Sequence, residues 1–132
     1  MTADPYRRAL GAYRTASLQT AGPRQVLLRV HEAMLGDLHQ ARLAYEAKAL
    51  DRMCSHTEAC GRMLTALICK LDFKLAGPAG QALLAYYRGL SRRLGRILSQ
   101  RDVSGAFQEM IESVQMLCRS FRGETENIVV NQ

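Results

Sequence analysis

The stretch VSGAFQEMIESVQMLCRSF, residues 103–121, places apolar side chains at Val103, Phe107, Met110, Val114, Leu117 and Phe121. Intervals that alternate between four and three residues bring side chains onto one face of a 3.6-residue helix, and the two-residue period of a strand does not fit them. The same spacing recurs upstream. Leu27, Val30, Met34, Leu38, Ala41 and Tyr45 form one stripe, Met53, Thr57, Cys60, Leu64, Leu67 and Leu71 a second, and Leu83, Tyr87, Leu90, Leu94 and Ile97 a third. Four stripes of this regularity suit near-parallel packing of helices on one another.

The breaks between stripes agree with that reading. Thr20-Ala-Gly-Pro23 and Gly77-Pro78 put proline where a first helical turn tolerates it. Asp51 and Asp102 stand where N-caps of the second and fourth helices are expected. The expected fold is all-α, a four-helix bundle with helices at about 23–49, 52–72, 78–99 and 103–121. Short connections make neighbouring helices antiparallel. Residues 1–20, with Tyr6, Leu10 and Tyr13 at helical spacing, read as a short N-terminal arm on a bundle spanning 21–122. Residues 123–132 have no period and read as a fraying tail.

Composition supports a folded domain and narrows its chemistry. With 132 residues, 48% hydrophobic and 23% charged, the chain has the size and apolar content for a single core. Four cysteines, Cys54, Cys60, Cys69 and Cys118, fall in or near the stripes, where a free thiol behaves as a small hydrophobe. Neither an apolar leader after the early Arg7-Arg8 pair nor a membrane-spanning run is present, so a reducing cytoplasm is the expected location. Catalytic signatures are missing: there is no glycine-rich phosphate loop, no Gly-x-Ser-x-Gly elbow and no Glu-x-x-His pair. We therefore expect no enzyme and no cofactor. His56 and Cys60 lie four apart, but no second ligand pair completes a metal site, and His31 and His39 read as surface or satisfied core residues.

The net charge of +6 is concentrated in the third helix. Arg88, Arg92, Arg93, Arg96 and Arg101 occur with no Asp or Glu between Pro78 and Arg101, and residues 88, 92 and 96 form a ridge. Aromatic residues are not interleaved for base stacking, so a solvated face or a surface for an acidic protein segment is favoured over nucleic acid. A basic helical nucleic-acid-binding or regulatory protein is the alternative reading, and steep loss of affinity with salt would be its mark. Apolar residues also flank the main stripes: Leu28 and Leu35, Met63 and Ile68, Leu84 and Leu98, Ile111 and Cys118. A broad core stripe uses most such positions; the remainder would line a groove for a partner's apolar segment. Met53, Met63, Met110 and Met116 would let such a groove adapt to different side chains.

Several motifs in order carry a family resemblance. Ala12-Tyr13 followed by Leu18-Gln-Thr20-Ala-Gly-Pro23-Arg-Gln-Val-Leu resembles the Ala-Tyr…Val-x-Thr-Ala-Ser-Pro-x-Glu-Leu-Ile signature that opens the FliS family of flagellar secretion chaperones. Leu71-Asp72-Phe73-Lys74-Leu75-Ala76-Gly77 is similar to that family's Leu-Asp-Phe-Glu-x-Gly-Gly turn. In unbroken register, Tyr87 and Arg92-Arg93-Leu94 fall on its Leu-Tyr-Asp-Tyr…Arg-Arg-Leu run. The likeness covers about residues 6 to 122. Departures are Gly22 for Ser, His31 for Tyr, Ala82 for Asn, Gly89 for the second Tyr, and Lys74 and Pro78 in place of acidic residues.

The resemblance implies a cytoplasmic export chaperone, and the chain is expected to be a monomer or weak homodimer that neither binds nucleic acid nor inserts into a membrane. It would bind the disordered C-terminal segment of flagellin, prevent premature polymerisation, and pass its client to the flagellar export apparatus. Leu71, Tyr87 and Leu94 match family positions and are expected to bind the client. Met63, Ile68, Leu90 and Ile111 join them on stripe position alone, and Tyr13 would be an arm residue that a client displaces. Asp72 with Arg92 or Arg93 reads as a structural pair fixing the turn between helices two and three.

Overall fold

A computed structural model describes residues 23–73 and 77–122, and these are helical with no strand among them. Four helices pack together: α1 (Pro23–Glu46), α2 (Leu50–Lys70), α3 (Gly77–Gly95) and α4 (Val103–Arg122), with a short 3₁₀ turn, Ile97–Ser99, between the last two. The arm with Tyr13 and the tail lie outside the described residues. Cross-helix pairs fix the direction of packing. Ser104 meets Glu46 and Arg122 meets Glu32 across α1 and α4, so the start of one helix lies by the end of the other. Between α3 and α4, Arg93 meets Glu109 and Tyr86 meets Ser113, again antiparallel.

The stripes bury as their spacing requires. Val30, Met34, Leu38 and Ala41 of α1, Met53, Cys60, Leu64 and Leu67 of α2, Tyr87, Leu90 and Leu94 of α3, and Val103, Phe107, Met110 and Val114 of α4 are all in the core. Phe73, just past α2, joins the same cluster. Thr57, by contrast, is half-buried and its hydroxyl donates to the Cys54 carbonyl at 2.9 Å, a bond within its own helix.

Helix ends depart from the sequence expectation in instructive ways. α1 stops at Glu46 rather than near 49, because Lys48 adopts a left-handed φ of 61°. The Lys48 amide donates to the Tyr45 carbonyl at 3.0 Å and the Ala49 amide to the Ala44 carbonyl at 2.8 Å. This is the paired closure of a Schellman motif, with lysine where glycine is usual. α2 then begins at Leu50 with Ala49 as its N-cap and no side-chain cap bond. Asp51 is thus not the cap; it sits inside the first turn, where its charge still favours the helix's positive end. Asp102 does cap α4, its Oδ1 accepting from the Gly105 amide at 2.9 Å. The expected third helix to 99 is interrupted: regular α-helix ends at Gly95, and the Arg96 carbonyl instead accepts from the Ser99 hydroxyl at 2.7 Å. Glycine's low helix propensity accounts for the break point.

Candidate functional site

Between α2 and α3 lies a trough of about 800 Å³, open along one side. On α2 its lining runs from Thr57 to Lys70, which is about 20 Å of helix at 1.5 Å per residue. The trough exists because the residues facing it are small. Gly61, Thr65, Ala66 and Cys69 come from α2, and Ser91 and Gly95 from α3, with Leu94 supplying the large apolar wall. A Cβ placed on Gly61 would sit 3.8 Å from Leu94 Cδ2, ordinary van der Waals contact, so the two helices are close there but not jammed. Paired small residues at four-residue spacing, Gly61 with Thr65 and Ser91 with Gly95, were the sequence signal for this gap; apolar-stripe reasoning passes over them.

The expected binding residues divide in two. Leu94 lines the trough, and Ile68 and Leu71 are half-buried at the edge of the core. Met63, Tyr87, Leu90 and Ile111 lie in the core, with Met63, Tyr87 and Ile111 fully buried. They hold the helices whose outer faces make the trough, and they offer a partner almost no surface in this arrangement. Among the described residues, the large apolar side chains that do face solvent are Leu43, Leu50, Leu98 and Met116. Leu98 is one of the flanking apolar residues the sequence marks as surplus, and Met116 one of the methionines expected to make a groove adaptable.

Charge is distributed unevenly about the trough. Glu58, Arg62 and Lys70 line it from α2. Exposed Arg88 and Arg92 each stand one turn from a lining residue of α3, three positions before Ser91 and Gly95 respectively. Arg93, on another side of α3, reaches Glu109 of α4 at 3.7 Å.

Beneath α3, an aromatic cluster joins three helices. The Nδ1–H of buried His31 donates to the Leu27 carbonyl at 2.7 Å, so its Nε2 is the lone-pair nitrogen that accepts from the Tyr87 hydroxyl at 2.9 Å. Phe121 of α4 lies with its ring centroid 4.8 Å from that of His31, and Phe73 packs edge-on to Tyr87 at 6.1 Å. Burial lowers the His31 pKa to about 4, against a smaller opposing effect of the Leu27 hydrogen bond, and the ring is therefore neutral near pH 7. His31 is thus a satisfied core histidine.

His56 and Cys60 also serve the fold. His56 Nδ1 is 2.8 Å from Asp37 Oδ1, joining α1 to α2. Cys60 is buried, and its thiol is pushed up to about 12 by desolvation first and the nearby Asp37 charge second, so it is not a nucleophile at neutral pH. Among the described residues, no cluster of three or more His, Cys, Asp or Glu is arranged to hold a metal, and no helix is long and apolar enough to cross a membrane.

Compared with known proteins, residues 6–125 match the family model described as flagellar protein FliS. No curated protein and no solved structure matches the chain.

Proposed function

The chain belongs to the FliS flagellar protein family, and from that premise we propose that it binds the C-terminal segment of flagellin along the α2–α3 trough. The family is one of non-enzymatic chaperones in flagellin export, so the proposal concerns where and how the client is held. The observation that carries it is the trough itself: about 800 Å³ of space between two helices, lined by small residues with Leu94 as a wall. An elongated furrow of this kind accepts an amphipathic segment whose apolar side chains fill the gaps left by Gly61, Ala66 and Gly95.

A client that is disordered when free would fold as it binds, giving up chain entropy against burial of apolar surface. Burying the residues that flagellin uses to polymerise keeps it monomeric in the cytoplasm until export. Leu94, Ile68 and Leu71 would touch the client directly, while Met63, Tyr87, Leu90 and Ile111 would shape the surface from below. Isothermal titration of the protein with flagellin's C-terminal segment tests the reading: a saturable heat with a complex on gel filtration is expected. No heat and no complex would refute it.

A further inference from the structure

Resting on the chaperone reading, we infer that the segment seated in the α2–α3 trough carries acidic side chains along the flanks of its apolar stripe. The ion pairs formed among the described residues are Arg42–Glu46, His56–Asp37, Arg93–Glu109 and Arg122–Glu32. None of them uses Arg62 or Lys70, which line the trough, or Arg88 and Arg92, which are exposed on α3 one turn before its lining residues Ser91 and Gly95. The contrast is sharpest on α3: Arg93, directed to α4, meets Glu109, while the exposed Arg88 and Arg92 meet no carboxylate among the described residues. Glu58 is the one carboxylate among the described residues lining the trough, against Arg62 and Lys70, so the lining is net basic before the neighbouring Arg88 and Arg92 of α3 are added.

Cations that meet no carboxylate among the described residues, on one wall of the furrow and on the exposed flank of the other helix, act on what enters it. A segment with lysines beside its apolar stripe would meet like charge on two walls, whereas glutamates or aspartates there would find Arg62 and Lys70 on one side and Arg88 and Arg92 on the other. Arginine's planar fork favours carboxylates, which can be held by two parallel hydrogen bonds. Small residues on the floor set how deep the apolar stripe enters, and the rim cations then select its neighbours. Complementary charge of this kind governs selection between clients and their rate of capture more than the depth of binding.

The test uses the full-length protein and two synthetic peptides with one shared helical pattern of apolar residues, flanked by glutamate in one and by lysine in the other. Titration at low salt is expected to give the glutamate peptide the tighter binding by about tenfold, several weak exposed pairs together, with the gap closing at high salt. A double variant, Arg88→Glu with Arg92→Glu, changes two exposed positions and is expected to abolish or invert the preference while circular dichroism stays unchanged. Equal affinities, no binding of either peptide, or a preference untouched by the double variant would overturn the inference. So would displacement of the glutamate peptide by a duplex DNA oligonucleotide, which would assign the cations to nucleic acid. Flagellin's own C-terminal segment, titrated in parallel, separates the two readings. If it binds while the peptides are not discriminated, the charge inference alone fails; if the glutamate peptide is preferred and flagellin does not bind, the client reading fails.

Discussion

Lowering the pH should destabilise this protein through His31 before most carboxylates are protonated. In the folded state His31 is held to a pKa of about 4 by burial, against an ordinary 6.5. Below the ordinary value the unfolded chain takes up a proton that the folded chain refuses. Stability from this residue is therefore complete above pH 6.5 and is lost as pH falls toward 4. The whole shift corresponds to about 3 kcal/mol, of which about 2 kcal/mol is gone by about pH 5. That is a large part of the 5–15 kcal/mol typical of a domain. Urea unfolding followed by circular dichroism at a series of pH values measures the slope. The slope sums over the whole protein, so the decisive quantity is the difference from His31→Gln. Glutamine offers the Tyr87 hydroxyl an acceptor and does not titrate. The wild type should lose about 2 kcal/mol more than the variant between about pH 7 and pH 5. Equal losses in the two proteins would refute the claim that a neutral His31 is buried against Tyr87.

Three further substitutions probe the site and its frame. Gly61→Leu should fill the trough against Leu94 and weaken binding of flagellin's C-terminal segment by at least about tenfold, a cost of about 1.4 kcal/mol, while thermal stability holds or rises because leucine is the better helix former; unimpaired titration would show that the client sits elsewhere. Lys48→Gly should raise unfolding stability by about 1 kcal/mol, since glycine takes the left-handed conformation without the strain of a side chain, and a loss in urea denaturation would contradict the turn described. Asp102→Ala should cost about 1 kcal/mol by removing the α4 cap, and an unchanged denaturation midpoint would show that the bond to Gly105 contributes nothing.

How much of this could be read beforehand depends on how local the cause is. The four stripes are set by residue spacing along one helix, and Met34, Leu64, Leu90 and Phe107 are buried as that spacing requires. Asp102 was legible as a cap because the capping bond reaches only three residues ahead. The first turn was not, because nothing in Ala47-Lys48-Ala49 marks a helix end by composition; lysine takes a glycine's place. Tyr87 illustrates a different limit. Its motif position suggested a client contact, but whether a stripe residue faces a partner or the core depends on what the other helices bring, here His31 and Phe73. The position of the trough is illegible for a related reason: it is made by missing side-chain bulk at Gly61 and Gly95, which an apolar pattern does not record.

The four helices are not fastened equally. α1 packs closely along both α2 and α4, whereas α3 approaches α2 over a shorter stretch and ends in an interrupted turn at Gly95. Local opening in proteins follows such differences in support. α3 is accordingly the wall that can yield, and the width of the cleft it bounds becomes a matter of how tightly one helix is moored. A guest that wedges against Leu94 also draws that helix in, so amide protons of α3 would exchange more slowly once the guest is aboard and regain their speed when it is handed on.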